Sequence, residues 1–185
     1  GLRRLAQLAD GVLQTLLEDA GLAQTMALVG VGGYGRGELF AHSDVDVLLL
    51  LPNDACPEND SALKTSIEDL IGRCWDSGLE IGSSVRSVAE CLTEAARDVT
   101  IQTALLESRL VAGNAELYQS FHVQFRQTID PRAFYIAKTL EMRQRHNRLE
   151  NSPYALEPNC KESPGGLRDL QLILWVSKAA GLGES

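Results

Sequence analysis

Eight residues, Arg36 to Ser43, separate a glycine-rich turn from a strand that opens on two acids, and that interval limits what the chain can fold into. From Gly30 to Pro52 the chain reads GVGGYGRGELFAHSDVDVLLLLP. Gly30, Gly32 and Gly35 match the spacing of a dinucleotide-binding turn. That fold needs a helix to start at the turn, with an acidic residue about 20 positions further on. Here the next strand, Asp44 to Leu51, begins nine residues after Gly35, and RGELFAHS is too short and too polar for a crossover helix. No GK[ST] triplet follows, so a P-loop is excluded as well.

The acids themselves carry the better reading. Side chains alternate faces along a strand, so Asp44 and Asp46 share one face, about 6–7 Å apart. Val45 and Val47 point the other way. Two carboxylates side by side repel and cost stability unless a counter-charge offsets them. A divalent cation does so, and Mg²⁺ favours one or two carboxylates together with phosphate oxygens and water. Gly32 and Gly33 let backbone amides approach a phosphate closely, and Arg36 supplies a cation for triphosphate oxygens. The competing reading is a plain strand edge blunted by charge. Gly-Gly ten residues upstream and the apolar LLLL that follows argue against it.

Around this centre, periodicity predicts a helix over the first 20 residues and a short strand over Thr25–Val31. A helix over Ser61–Ser77 and a strand over Leu79–Arg86 follow. Ser87-Val88-Ala89-Glu90 has the form of a capping box. Helices are expected over 88–96, 99–111, 114–128, 132–149 and 166–180, with no strand after the break near Asp98–Gly113. The architecture expected is α+β: a small mixed-sheet domain, 1–112, and a helical domain, 113–185. The chain reads as a piece of a longer protein.

Net charge decides what the chain does not bind. At −8 it lacks the clustered cations that a nucleic-acid surface needs, although one nucleotide needs only a few cations and a metal. No apolar run reaches membrane-spanning length. Cys56, Cys74, Cys91 and Cys160 form no zinc spacing and read as free thiols of a reducing, cytoplasmic setting.

The Gly32-Gly33 turn, ten residues, then Asp44-Val45-Asp46-Val47 resembles the nucleotidyltransferase superfamily pattern, whose fold is polymerase-beta-like. More narrowly, VGGYGRGELFAHSDVDVLLL, SSVRS at 83–87, DVTIQTALLESRLVAG at 98–113 and LEPNCKESPGGLRDLQLILW at 156–175 resemble the bacterial PII uridylyltransferase/uridylyl-removing enzymes. Ser83 departs from the His common in that family, and Ser87 from its Thr. The resemblance implies transfer of UMP from UTP to a tyrosine of the PII nitrogen-signalling protein, with pyrophosphate released and Mg²⁺, or Mn²⁺ in its place, as cofactor. It also implies an HD hydrolase domain and glutamine-sensing ACT domains, both outside these 185 residues. Asp44 and Asp46 would hold the metals, while Gly32, Gly33, Arg36 and Ser43 would cradle the triphosphate. A third carboxylate is expected; Glu80 and Glu107 are both candidates. Another nucleotidyltransferase, or a silent nucleotide sensor, are the alternatives.

Further residues invite two readings each. Lys161, Gly165, Gly166 and Arg168 form either a secondary anion site or the start of a helix capped by Ser163. Arg126, Arg132, Lys138, Arg143, Arg145 and Arg148 read as a solvated face, or as a docking surface. His42 abuts the acids. Trp75 and Trp175 are expected in the core.

Overall fold

The computed structural model describes residues 1–40, 43–150, 160–162 and 164–182. His42 and Ser163 lie outside them. The chain divides into two compact units, Gly1–Phe125 and Arg126–Ser185.

In the first unit, helix α1 (Leu2–Asp19) precedes strand β1 (Ala27–Gly30), and a one-turn helix, α2, occupies Gly32–Gly35. Strand β2 (Val45–Leu51), helix α3 (Ser61–Asp76) and strand β3 (Ile81–Ser87) follow, then helices α4 (Val88–Arg97) and α5 (Val99–Leu106). Strand β4 (Arg109–Gly113) and helix α6 (Ala115–Thr128) come next. The four strands lie in the order β3-β2-β1-β4. β1 pairs antiparallel with both β2 and β4, and β2 pairs parallel with β3. This is the α+β mixed sheet expected from the sequence.

Alternation on β2 sets which face is which. Val45, Val47, Leu49 and Leu51 join Ala6, Leu13 and Leu17 of α1 and Ile67 and Leu70 of α3 in one core. Asp46, Leu48 and Leu50 take the other face. Leu48 and Leu50 are also buried, which explains the unbroken apolar run: a strand covered on both sides has no polar face beyond its first residues. Each such leucine contributes roughly 1.5–3 kcal/mol, so a one-residue slip, which would swap Asp46 with a core valine, is strongly disfavoured.

Local signals fix the element ends. Asp60 caps α3, its side chain accepting from Leu63 N at 3.0 Å. The capping box of α4 is present: Ser87 Oγ accepts from Glu90 N at 3.2 Å, and Glu90 Oε2 from Ser87 N at 2.7 Å. Ser87→Ala is expected to cost about 1 kcal/mol, measurable as a lower urea midpoint with an unchanged slope.

Two expectations need correcting. The helix predicted to run to 111 stops at Leu106, and Arg109–Gly113 forms an edge strand instead. Pairing with β1 overrides the helical spacing of that stretch. The pairing carries an irregularity between Leu28 and Val29, where Ala112 faces Leu28 but Leu110 faces Val29, leaving Val111 extra. Trp75 is 54% exposed: the buried stripe of α3 is Ile67, Leu70 and Cys74, and one step past Cys74 turns the side chain away from it.

In the second unit, helix α7 (Pro131–Glu150) and helix α8 (Leu167–Ala179) are its long elements. The cations here are not all solvated. Lys138 is 3% exposed, pairs with Glu141 at 2.7 Å and lies 4.4 Å from the Trp175 ring centre. Arg126 donates to the carbonyl of Lys178. Arg145 bonds Asp169 at 2.5 Å. All four cysteines are free thiols. Among the described residues no helix is long and apolar enough to cross a membrane.

Candidate active site

The turn after β1 and the start of β2 are held together by main chain. Val31 N donates to the carbonyl of Asp46 at 3.1 Å. The helical turn Gly32–Gly35 then begins, its first intrahelical-type bond running from Gly35 N to Val31 O at 3.0 Å. The amides of Gly32, Gly33 and Tyr34 precede that bond, as the first amides of any helical turn do. Gly32 has φ +57°, the left-handed region that glycine adopts without cost.

Asp46 is seated between two glycines. A Cβ at Gly32 would stand 3.9 Å from its Oδ2, and a Cβ at Gly82, its partner in the β2–β3 register, only 2.9 Å from its Oδ1. Gly82 thus makes the space that the carboxylate fills. Sequence reading missed this role, although an isolated glycine inside a strand is a known sign of close approach. The Asp46 carboxyl is pushed up from its ordinary range, first by burial and then by the charge of Asp44. Asp46 therefore feels the charge of Asp44, and it lies by the glycine turn. Both acids are exposed, Asp44 lying one residue before β2, so the desolvation of Asp46 is partial.

Arg36 follows the turn and is held by Glu107 Oε2 at 2.7 Å and Glu38 Oε2 at 3.1 Å. Glu107, with its side chain 5% exposed, is thus Arg36's partner. Glu80 is exposed, and its carbonyl accepts from Val45 N at 2.8 Å. Among the described residues, no third His, Cys, Asp or Glu joins the pair to make a three-ligand metal cluster. Ser43 is exposed, and its hydroxyl donates to the Phe40 carbonyl at 2.9 Å.

In the second unit, the Gly165 amide donates to Asp169 Oδ2 at 2.8 Å, and Arg168 Nε pairs with Glu162 at 3.2 Å. Gly166 is the N-cap of α8, without a side-chain cap bond. Lys161 contributes its carbonyl to Arg168 N. Asp169 also meets Arg145 and His146. Burial pushes its carboxyl up, but the Gly165 amide, His146 and Arg145 together outweigh that, and it titrates below the usual carboxylate range. This loop thus spends its donors on its own acids, which favours the structural reading of the PGGLRD stretch.

Residues 133–185 match the family described as GlnD PII-uridylyltransferase. Over 98% of its length the chain is 58% identical to a protein of Ralstonia nicotianae named bifunctional uridylyltransferase/uridylyl-removing enzyme. Proteins of the same name in Burkholderia orbicola and Burkholderia vietnamiensis are 55% and 56% identical over 100% of the chain. The chain spans 21% of the length of each of these relatives. A solved structure titled "Crystal structure of the toxin-antitoxin with AMP-PNP" aligns at 12% identity with a TM-score of 0.37, covering 77% of this chain and 95% of that one, too loose a likeness to carry weight.

Proposed function

Since the chain belongs to the family of bifunctional uridylyltransferase/uridylyl-removing enzymes, of whose length it spans about a fifth, we propose that its first unit is the site of uridylyl transfer from UTP to a tyrosine of PII. The observation that carries this reading is the seat of Asp46: a carboxylate between Gly32 and Gly82, beside Asp44, at the mouth of a glycine turn.

The donor set suits a hard divalent cation. Both ligands are carboxylates, and the one whose ionised form burial and Asp44 disfavour has the most to gain from a cation. Mg²⁺ held by Asp44 and Asp46 would lower the pKa of the acceptor hydroxyl and offset charge on the departing pyrophosphate. The protein's own part is positioning. The amides of Gly32, Gly33 and Tyr34 face the triphosphate. Arg36 keeps its buried pair with Glu107 and exchanges the exposed one with Glu38, an interaction worth little in water, for phosphate oxygens.

Labelled UTP incubated with the full-length enzyme, Mg²⁺ and PII, with ATP as control, tests the assignment. Label on PII from UTP and not from ATP is expected; no label from either overturns it. Gly82→Ala probes the seat without touching an acid. Its methyl would displace Asp46 Oδ1, so transfer should fall roughly tenfold or more with no change in unfolding midpoint. Unaltered turnover in that variant would contradict the role given to Asp46.

A further inference from the structure

Gly32-Gly33-Tyr34-Gly35 has one side chain, and the whole turn is fastened by it. Glycines lose more conformational freedom on ordering than any other residue, so three in a four-residue turn need an external hold. Tyr34 is 2% exposed, and its hydroxyl donates to Asp10 Oδ1 on α1 in a short hydrogen bond. Arg109 on β4 grips both Asp10 and Tyr34. Its Nη1 and Nη2 donate to the two oxygens of Asp10 at 2.9 and 2.8 Å. Its Nε donates to the main-chain carbonyl of Tyr34 at 3.3 Å. Its guanidinium lies 4.9 Å from the centre of the tyrosine ring. Burial, reinforced by Asp10, raises the Tyr34 hydroxyl far above its ordinary range, so it stays protonated and donating.

We propose that Asp10, Tyr34 and Arg109 are positioning residues for the nucleotide triphosphate: they immobilise the glycine turn from α1 and β4, and nucleotide affinity depends on that hold. The inference rests on the function proposed above. None of the three is a catalytic residue. Tyr34 sends its side chain into the core that α1 shares, while Gly32 at the head of the same turn abuts Asp46. The clamp therefore acts from behind the phosphate-facing amides. Its work is to prepay the ordering of those amides, an entropy that a loose turn would subtract from binding.

The test uses the full-length enzyme and measures KM for Mg–UTP and kcat separately. Arg109→Met is expected to raise that KM about tenfold, with kcat changed less than about threefold. Tyr34→Phe, which loses only the bond to Asp10, should raise it about threefold. Arg109→Lys is the discriminating variant. An ammonium can pair with Asp10 but cannot bridge both its oxygens and the Tyr34 carbonyl at once. It should restore the unfolding midpoint while KM stays raised. If Arg109→Lys restores KM and midpoint together, the cluster is merely structural and the proposal fails. Wild-type KM in folded Arg109→Met or in Tyr34→Phe also overturns it; if Arg109→Met does not fold, Tyr34→Phe and Arg109→Lys decide. Asp46→Asn, run in parallel, separates the two claims. Full turnover there sinks the functional reading, whereas a dead Asp46→Asn beside wild-type KM in the clamp variants sinks only the clamp.

Discussion

Asp46→Asn is expected to lower uridylyl transfer by at least about 10³-fold and to leave the fold in place. Asparagine keeps the size of the side chain and removes the charge that would face the metal. The variant should also melt at or above the wild type when no metal is present. The sign follows from the raised pKa of Asp46. The folded state holds that proton more tightly than the unfolded chain does. The stability it contributes is complete below the unfolded carboxyl's pKa and is lost as pH rises through the folded one. At neutral pH the ionised acid is thus a cost to the metal-free fold, and asparagine removes it. Differential scanning calorimetry with and without Mg²⁺ checks this. The wild type should gain from the ion and Asp46→Asn should not. An Asp46→Asn protein that turned over normally with Mg²⁺ would falsify the metal assignment.

Gly35→Ala is expected to be the most damaging single-methyl change in the first unit. A Cβ there would stand 1.9 Å from the carbonyl oxygen of Glu107 and 2.9 Å from that of Gly30. Both obstacles are backbone, so neither can swing aside. Glu107 is moreover tied to Arg36, and Gly30 lies in the sheet. The turn must lift, and an overpacked site of this kind costs about 3 kcal/mol or more. Gly33→Ala is the matched control. Its nearest neighbours would be Arg36 Nη2 at 3.6 Å and the Glu38 carbonyl at 3.7 Å, ordinary contacts. Urea unfolding of the two variants should show a large drop in midpoint for Gly35→Ala and little for Gly33→Ala. Equal midpoints would mean the turn is looser than its packing implies.

Much of this site is local and could be read from the chain. The alternation that turns Asp46 away from Val45 and Val47, the short link from turn to strand and the capping box at Ser87 are patterns a few residues long, and the structure holds each of them. What could not be read is what the rest of the chain brings to them. Gly82 meets Asp46 only through strand register. Tyr34 meets Asp10 across 24 residues, and Arg109 meets Asp10 across 99. No local pattern signals such contacts. Glu107 illustrates the difficulty: its residue type suggested a metal ligand, yet the structure pairs it with Arg36. β4 was hidden for a related reason, since an edge strand of five residues exists by virtue of its partner. The stretch 98–113, which carries part of the family resemblance, holds both Glu107 and Arg109. Both residues hold the glycine turn.

The extra residue on β4 bears on how this protein can tolerate change. Were the ladder regular from Ala112 onward, Val111 would sit against Val29 and Leu110 against Gly30, and Arg109 would overshoot the end of β1. The kink reels the arginine in by one place, to stand across from Gly30. Straightening that rim would pull Arg109 off the glycine turn without changing a single side chain.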